Sequence, residues 1–168
     1  MKLGTRNPKQ KNDIRDVVFL HGWGSGAAVW QDMAAQLTPR RLAHAPDLPG
    51  YGAAPACAPY TLDVIAAVVA RAAPPRCQVI GWSLGGQVAL AWAKSAPQQV
   101  VRLALIAATP CFTQRTDWPH AVTAEALDGF MKGIAADRAG MLRRFISLQA
   151  QGDGKAKQVA RQLRAAHA

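Results

Sequence analysis

The chain has 168 residues, 50% of them hydrophobic, 18% charged and 7% aromatic, a profile that fits one soluble globular domain and excludes a disordered or fibrous chain. Its strongly apolar runs, 17–20, 64–70 and 103–108, fall far short of the ~20 residues that a membrane-spanning helix needs, and the start MKLGTRNPKQKNDIRD lacks the apolar stretch of a secretory signal. The formal net charge of +10 is uneven, with five Lys/Arg against two Asp in 1–16, eight basic against seven acidic residues in 17–137, and seven against one in 138–168.

The first sixteen residues read as a disordered basic arm. DVVFLHGWGSG then gives a short buried strand, Val17 to Leu20, broken by a glycine-rich turn. Ala28 to Leu37 has apolar positions at helical spacing and stops before Pro39. RLAHAPDLPGYG follows as a second strand ending near Asp47 and a Gly/Pro-rich loop. Thr61 to Ala73 reads as a helix, with Thr61 as N-cap, Asp63 in the first turn, and Pro74 and Pro75 beyond its end. CQVIGW is a strand, SLGGQVALAWAKS a helix, and VVRLALIAAT another strand. Strands alternating with helices of this length predict a parallel sheet covered on both faces, so the fold class is α/β. Past Thr109 only helices are legible, around Thr123 to Ala135, Arg138 to Ala150 and Lys155 to Ala166. The division this suggests is arm 1–16, core 17–110 and helical cap 111–168.

Cys57, Cys77 and Cys111 are widely spaced, with no CxxC pair to suggest metal or redox chemistry. They read as free thiols of a reducing cytoplasm, with no metal and no cofactor.

Gly81-Trp82-Ser83-Leu84-Gly85 is a GxSxG pentapeptide between a predicted strand and a predicted helix, the setting a nucleophile elbow requires. A serine on so sharp a turn carries strained backbone angles, and glycines two positions to either side let neighbouring segments approach until Oγ stands above the sheet. The helix starting there turns free N–H groups and its positive end toward the reacting centre, which favours an anionic tetrahedral intermediate. The competing reading of Ser83 is an N-cap on an ordinary helix. His21-Gly22-Trp23-Gly24 follows the first strand, where an acyl-transfer enzyme of this layout places its other oxyanion donor. The two donors are then the N–H groups of Trp23 and Leu84. His21 precedes the serine and opens a tight turn, so it reads as a histidine supporting the loop and not as the catalytic base.

With LHGWG (20–24), Trp30, DLPGYG (47–52), GWSLGG (81–86), PCF and DWP (110–112 and 117–119) and RFISLQ (144–149) in view, the sequence resembles the α/β-hydrolase family. Within it, the chain is most similar to the serine carboxylesterases that cleave the methyl ester of pimelate on an acyl carrier protein in biotin biosynthesis. The resemblance implies Ser83 as nucleophile and Trp23 and Leu84 as oxyanion and substrate contacts. It implies Phe145, Ile146, Ser147, Leu148 and Gln149 as the acyl-pocket wall, and Arg144, Lys157 and Arg161 as the contacts to the acidic carrier. The partner it implies is an acyl carrier protein bearing a pimeloyl methyl ester, for a monomer acting without nucleic acid or membrane. Other esterases or thioesterases of the family, and a non-catalytic protein that holds an acyl carrier, are the alternatives. Nucleic-acid binding by the basic C-terminal helices has no aromatic interleaving or recognised fold to accompany the charge.

In this layout the acid and the histidine follow later strands. After Ser83 the histidines are His120, in the DWPH turn, and His167, the penultimate residue, and neither follows a strand. The resemblance would place both missing triad members beyond residue 168. The chain is therefore expected to be a fragment or truncated frame, inactive or impaired by itself, whose sheet leaves a strand edge uncovered.

Overall fold

The computed structural model describes residues 14–37 and 41–165. Four parallel strands, β1 (Asp16–Leu20), β2 (Leu42–His44), β3 (Cys77–Trp82) and β4 (Val100–Ile106), lie in the order β2-β1-β3-β4. The 3-10 turn Ala27–Trp30 and α1 (Gln31–Leu37) link β1 to β2, α2 (Leu62–Ala72) links β2 to β3, and α3 (Leu84–Ser95) links β3 to β4.

Period-two alternation along the strands sends side chains to opposite faces, and the two faces are covered differently. Val18, Leu20 and Val79 pack with Ile65, Val69, Val88 and Trp92 from α2 and α3. Val17, Phe19 and Ile80 pack with Trp30 on the other face, where Phe19 and Trp30 stack with centroids 5.1 Å apart. The sheet is thus sandwiched, as the near-continuous apolar strands predict. At α2, Thr61 is the N-cap and its hydroxyl accepts from the Val64 N–H.

Three differences from the sequence reading have simple causes. The expected arm 1–16 ends too late. Asp16 opens β1, the Ile14 carbonyl accepts from Arg41 Nη1 (2.7 Å) and Gln78 Nε2 (2.9 Å), and the Arg15 carbonyl accepts from the Leu42 N–H (2.9 Å). Polar residues at a strand's start are recruited by edge hydrogen bonds that hydrophobic pattern does not register. Residues 1–13 of that arm lie outside the described residues. The second strand is only three residues long, and the predicted helix after β1 starts as a 3-10 turn.

β4 pairs with β3 alone among the described residues, and Leu105 and Ile106 are 42% and 41% exposed. Beyond it come α4 (Ala124–Ala136), α5 (Arg138–Gln149) and α6 (Ala156–Ala165). α5 and α6 enclose a small core of their own around Ile146, Ala150 and Ala160. No helix among the described residues is long and apolar enough to cross a membrane.

Gln99, just before β4, ties three elements together. Its Oε1 accepts from the Trp92 indole N–H (2.9 Å), and its Nε2 donates to the carbonyls of Ala70 (2.9 Å) and Pro74 (3.0 Å). Gln99→Leu removes all three bonds and leaves the indole N–H of a fully buried tryptophan unpaired, so urea denaturation should show a loss of about 2 kcal/mol. An unchanged midpoint would mean that this bridge contributes nothing.

The three cysteines are free, and burial pushes the Cys77 thiol up to about 11. Alkylation of the native protein near pH 8 should therefore modify the partly exposed Cys57 and Cys111 and spare Cys77, as read by peptide mass. Because the folded value lies above the unfolded one, this thiol leaves stability untouched below the ordinary thiol range and lowers it as pH rises toward 11.

Candidate active site

β3 ends at Trp82, α3 begins at Leu84, and the single residue between them is Ser83, with φ 53° and ψ −116°. A non-glycine residue with positive φ is strained by contact between Cβ and its own backbone, and such strain is kept where the surroundings over-determine it. Here they do. The Ser83 N–H donates to the Ile106 carbonyl (2.9 Å), and its carbonyl accepts from the N–H groups of Gly86 (2.9 Å) and Gln87 (3.2 Å). The side chain makes no capping bond, so Ser83 is not an ordinary N-cap.

The glycines explain how so tight a bend fits. A Cβ on Gly81 would sit 2.5 Å from the Gly85 carbonyl oxygen and 2.6 Å from the Gly86 Cα, and one on Gly85 would run into the Leu20 and His21 carbonyls. Helix α3 thus lies directly against β1 and β3, with Ser83 at its head. The turn after β1 meets it there, since a Cβ on Gly22 would fall 3.3 Å from the Ser83 Cβ. Among the described residues, neither the Trp23 N–H nor the Leu84 N–H is bonded to an acceptor. The Leu84 N–H follows the serine at the head of α3, and the turn that carries Trp23 packs against it; a main-chain donor aimed at an oxyanion is worth about 3 kcal/mol to an acyl-transfer transition state.

His21 holds the turn, as its sequence position suggests. It is fully buried, its Nε2 accepts from the Leu48 N–H (2.9 Å), and its Nδ1 lies 2.9 Å from the Gly22 carbonyl. Those partners require the neutral Nδ1–H tautomer. The Tyr51 ring meets the imidazole edge-on at 4.9 Å, and Asp47 Oδ1 accepts from the Ala27 N–H (2.8 Å). The loop after β2 therefore braces the loop after β1.

The Trp23 ring meets Phe130 of α4 and Phe145 of α5, each with centroids 5.2 Å away, and the two phenylalanines lie 5.9 Å apart. This aromatic cluster joins the helical segment to the turn beside Ser83. Of the five residues expected to line a pocket, only Phe145 makes a ring contact with Trp23. Ile146, 1% exposed, points instead into the core between α5 and α6, because one helical position rotates a side chain by about 100°. Ser147 donates to the Arg143 carbonyl, Leu148 is exposed, and Gln149 is partly buried with Nε2 unpaired. Phe130 was not legible as a site residue. An aromatic side chain on an amphipathic helix reads as ordinary packing, and only the fold sets it beside Trp23.

Arg144 on α5 and Lys157 and Arg161 on α6 are exposed and form no ion pair with the described residues. Lys157 and Arg161 are one helical turn apart and share a face. His44 is taken up by Asp16 (2.7 Å), and His120 is exposed in the loop before α4. No described side chain is hydrogen-bonded to Ser83 Oγ. His167 lies outside the described residues. Among those described, no group of three or more His, Cys, Asp or Glu side chains is gathered so as to hold a metal ion.

Comparison with known proteins agrees with this geometry. Residues 17–167 match the model of the alpha/beta hydrolase family. The pimeloyl-[acyl-carrier protein] methyl ester esterase of Nitrosomonas europaea is 44% identical over 137 residues, which are 82% of this chain and 54% of that protein. The protein of the same name from Pectobacterium atrosepticum is 42% identical over 149 residues, 89% of this chain and 58% of its own length. The chain thus spans a little over half the length of these relatives. Among solved structures, the esterase EaEST from Exiguobacterium antarcticum superposes with a TM-score of 0.77 at 25% identity, over 90% of this chain and 61% of that one. The epoxide hydrolase CorEH, at 20% identity and a TM-score of 0.65 over 87% and 59% of the two chains, shares the fold. A strained serine between strand and helix, a glycine turn packed against it and a family match running from the first strand through the last described helix lead to one conclusion: this chain belongs to the alpha/beta hydrolase family.

Proposed function

We propose that these residues are the nucleophile-bearing part of a carboxylesterase that removes the methyl ester from pimelate held on an acyl carrier protein, the activity named for the relatives above. The observation that carries the reading is Ser83, held at positive φ between β3 and α3 with the turn after β1 packed against it. Its Oγ adds to the ester carbonyl, and the oxyanion accepts from the N–H groups of Trp23 and Leu84. Collapse expels methanol and leaves an acyl-Ser83, which water then hydrolyses to the free carboxylate. The proton of Ser83 needs a base. In this reading, base and acid lie in the part of the relatives' length that these 168 residues do not match.

In this reading the described residues from 111 onward form a cap to the core that begins at residue 17. Trp23, Phe130 and Phe145 offer an aromatic wall for the methylene chain of the acyl group. Of the remaining pocket residues, Leu148 and Gln149 stay in this proposal as wall, while Ile146 holds the cap together. The exposed cations Arg144, Lys157 and Arg161 give the cap a positive face toward an acidic carrier. A cytoplasmic monomer that needs no cofactor goes with this reading.

The test uses a protein that extends these residues through the relatives' full length. A fluorophosphonate should label Ser83, located by peptide mass, and the carrier-bound methyl ester should be hydrolysed. Label that persists in Ser83→Ala removes the nucleophile assignment. Carrier binding without any ester turnover would make the protein a binding module instead. Reversing Arg144 and Arg161 to Glu should slow carrier association about tenfold at low salt and flatten its salt dependence in stopped-flow measurements. An unchanged association rate would take these residues off the docking face.

A further inference from the structure

β3 and β4 end side by side. Trp82 and Ile106, the last residues of the two strands, are register partners, and each is followed by one residue in the left-handed region, Ser83 at φ 53° and Ala107 at φ 45°. Among the described residues these are the two non-glycine positions with positive φ. Strain of this kind persists where surrounding contacts over-determine it, and it gathers at sites of function. Ser83 has a chemical use in the reaction proposed above. Ala107 has none there, and its side chain is exposed, so burial of its methyl group does not account for the bend.

The residues around Ala107 show what the bend does. Ile106, before it, accepts from the Ser83 N–H (2.9 Å). Ala108, after it, sits so close to Gly86 that a Cβ on that glycine would overlap the Ala108 Cβ. The Thr109 carbonyl accepts from Gln87 Nε2 (3.2 Å). Gly86 and Gln87 are the residues whose N–H groups donate to the Ser83 carbonyl. The segment 106–109 therefore grips the serine from both sides, taking its N–H directly and holding the first turn of α3, which in turn binds its carbonyl. An extended residue at 107 would carry the chain onward along the strand direction. The left-handed one turns it, so that 108 and 109 reach the head of α3.

We propose that Ala107 is a positioning residue for the nucleophile: its left-handed backbone seats 106–109 on the head of α3 and so holds Ser83 in its strained bend. The proposal rests on the reading of Ser83 as nucleophile and adds to it the residue that fixes the serine's placement. The cost of a left-handed backbone depends on the side chain. Glycine adopts it freely, alanine at a cost, and a β-branched residue at a larger one. Valine at 107 relieves that cost by taking a negative φ, which swings 108 and 109 off α3. The serine then loses its alignment, and a displacement of about 1 Å is enough to slow a reaction on the order of 100-fold.

The test follows fluorophosphonate labelling and methyl-ester turnover, each per folded molecule, in the protein extended to its relatives' length. Ala107→Val should slow labelling of Ser83 and lower kcat by on the order of 100-fold, with KM changed by less than about twofold. Ala107→Gly, in which the bend is free of strain, should label at the unaltered rate. Gln87→Leu removes the bond to Thr109 without touching residue 107 and should slow labelling about fivefold, which keeps the proposal open to refutation if Ala107→Val does not fold. Combined, the two substitutions should cost less than the product of their separate effects, because both release the same segment. Equal labelling rates in the unaltered protein, Ala107→Val and Gln87→Leu overturn the proposal. So does a loss in Ala107→Gly as large as in Ala107→Val, which would place the effect in the methyl group and not in the bend. A lowered urea midpoint with unchanged labelling per folded molecule overturns it as well, since the segment would then serve stability alone. In each of these results a Ser83 that labels in the unaltered protein leaves the nucleophile reading standing. Absence of label on Ser83 in the unaltered protein removes that reading and this proposal with it.

Discussion

Ser83→Ala and Ser83→Gly are both expected to reduce ester turnover by on the order of 10⁶-fold in the protein extended to its relatives' length, because each removes the atom that forms the acyl-enzyme in the proposed reaction. Their effects on stability should differ. At φ 53° alanine keeps the Cβ that makes this conformation costly, whereas glycine has none. Ser83→Gly should therefore be more stable than Ser83→Ala by about 1 kcal/mol in urea, the sign of a residue kept for chemistry at a cost in folding free energy. Turnover within tenfold of the unaltered protein in either variant would remove Ser83 from the mechanism. Equal stability of the two would mean that the bend is not strained.

Gly85→Ala should give the largest loss of stability of any single methyl added to the chain, about 3 kcal/mol or more. The new Cβ would press on the carbonyls of Leu20 and His21, and the His21 oxygen would lie 2.6 Å away. These are main-chain atoms of the central strand β1 and the turn after it, so no side chain can rotate to make room. Only movement of α3 away from β1 relieves the overlap, and that movement carries the Leu84 N–H away from the Trp23 N–H. Activity should then fall more than the unfolded fraction explains, measurable as a lower kcat per folded molecule. Gly129→Ala provides the contrast. It lies within α4 with nothing within 4 Å of an added Cβ, so the substitution should raise stability by about 0.5–1 kcal/mol through helix propensity alone. If the two substitutions proved alike in thermal or urea unfolding, the close approach at Gly85 would not be a constraint.

Much of this molecule is legible residue by residue. The strand Cys77–Trp82, the Thr61 cap and the three helices after residue 123 fall within a residue or so of where apolar period and capping chemistry put them. The serine bend is legible for the same reason, since glycines at fixed offsets around one serine mark a backbone that must pass close to its neighbours. The start of β1 is less so, because Ile14 and Arg15 are held by bonds to Arg41, Leu42 and Gln78, far along the chain. The segment 144–149 shows the same limit on a finer scale. Its residues are recognisable together, but helical rotation sends Phe145 to Trp23 and Ile146 into the core between α5 and α6.

By itself the sequence determined the local grammar: which stretches are strand or helix, where serine interrupts them, and where the positive charge is concentrated. Those properties follow from periodicity and backbone preference within a few residues. The tertiary structure alone decided that Gly22 comes up against Ser83, that Phe130 joins Phe145 on Trp23, and that Ala108 meets Gly86. Each of these joins residues tens of positions apart, and such contacts are set by how sheet and helices pack, a choice that no local pattern encodes.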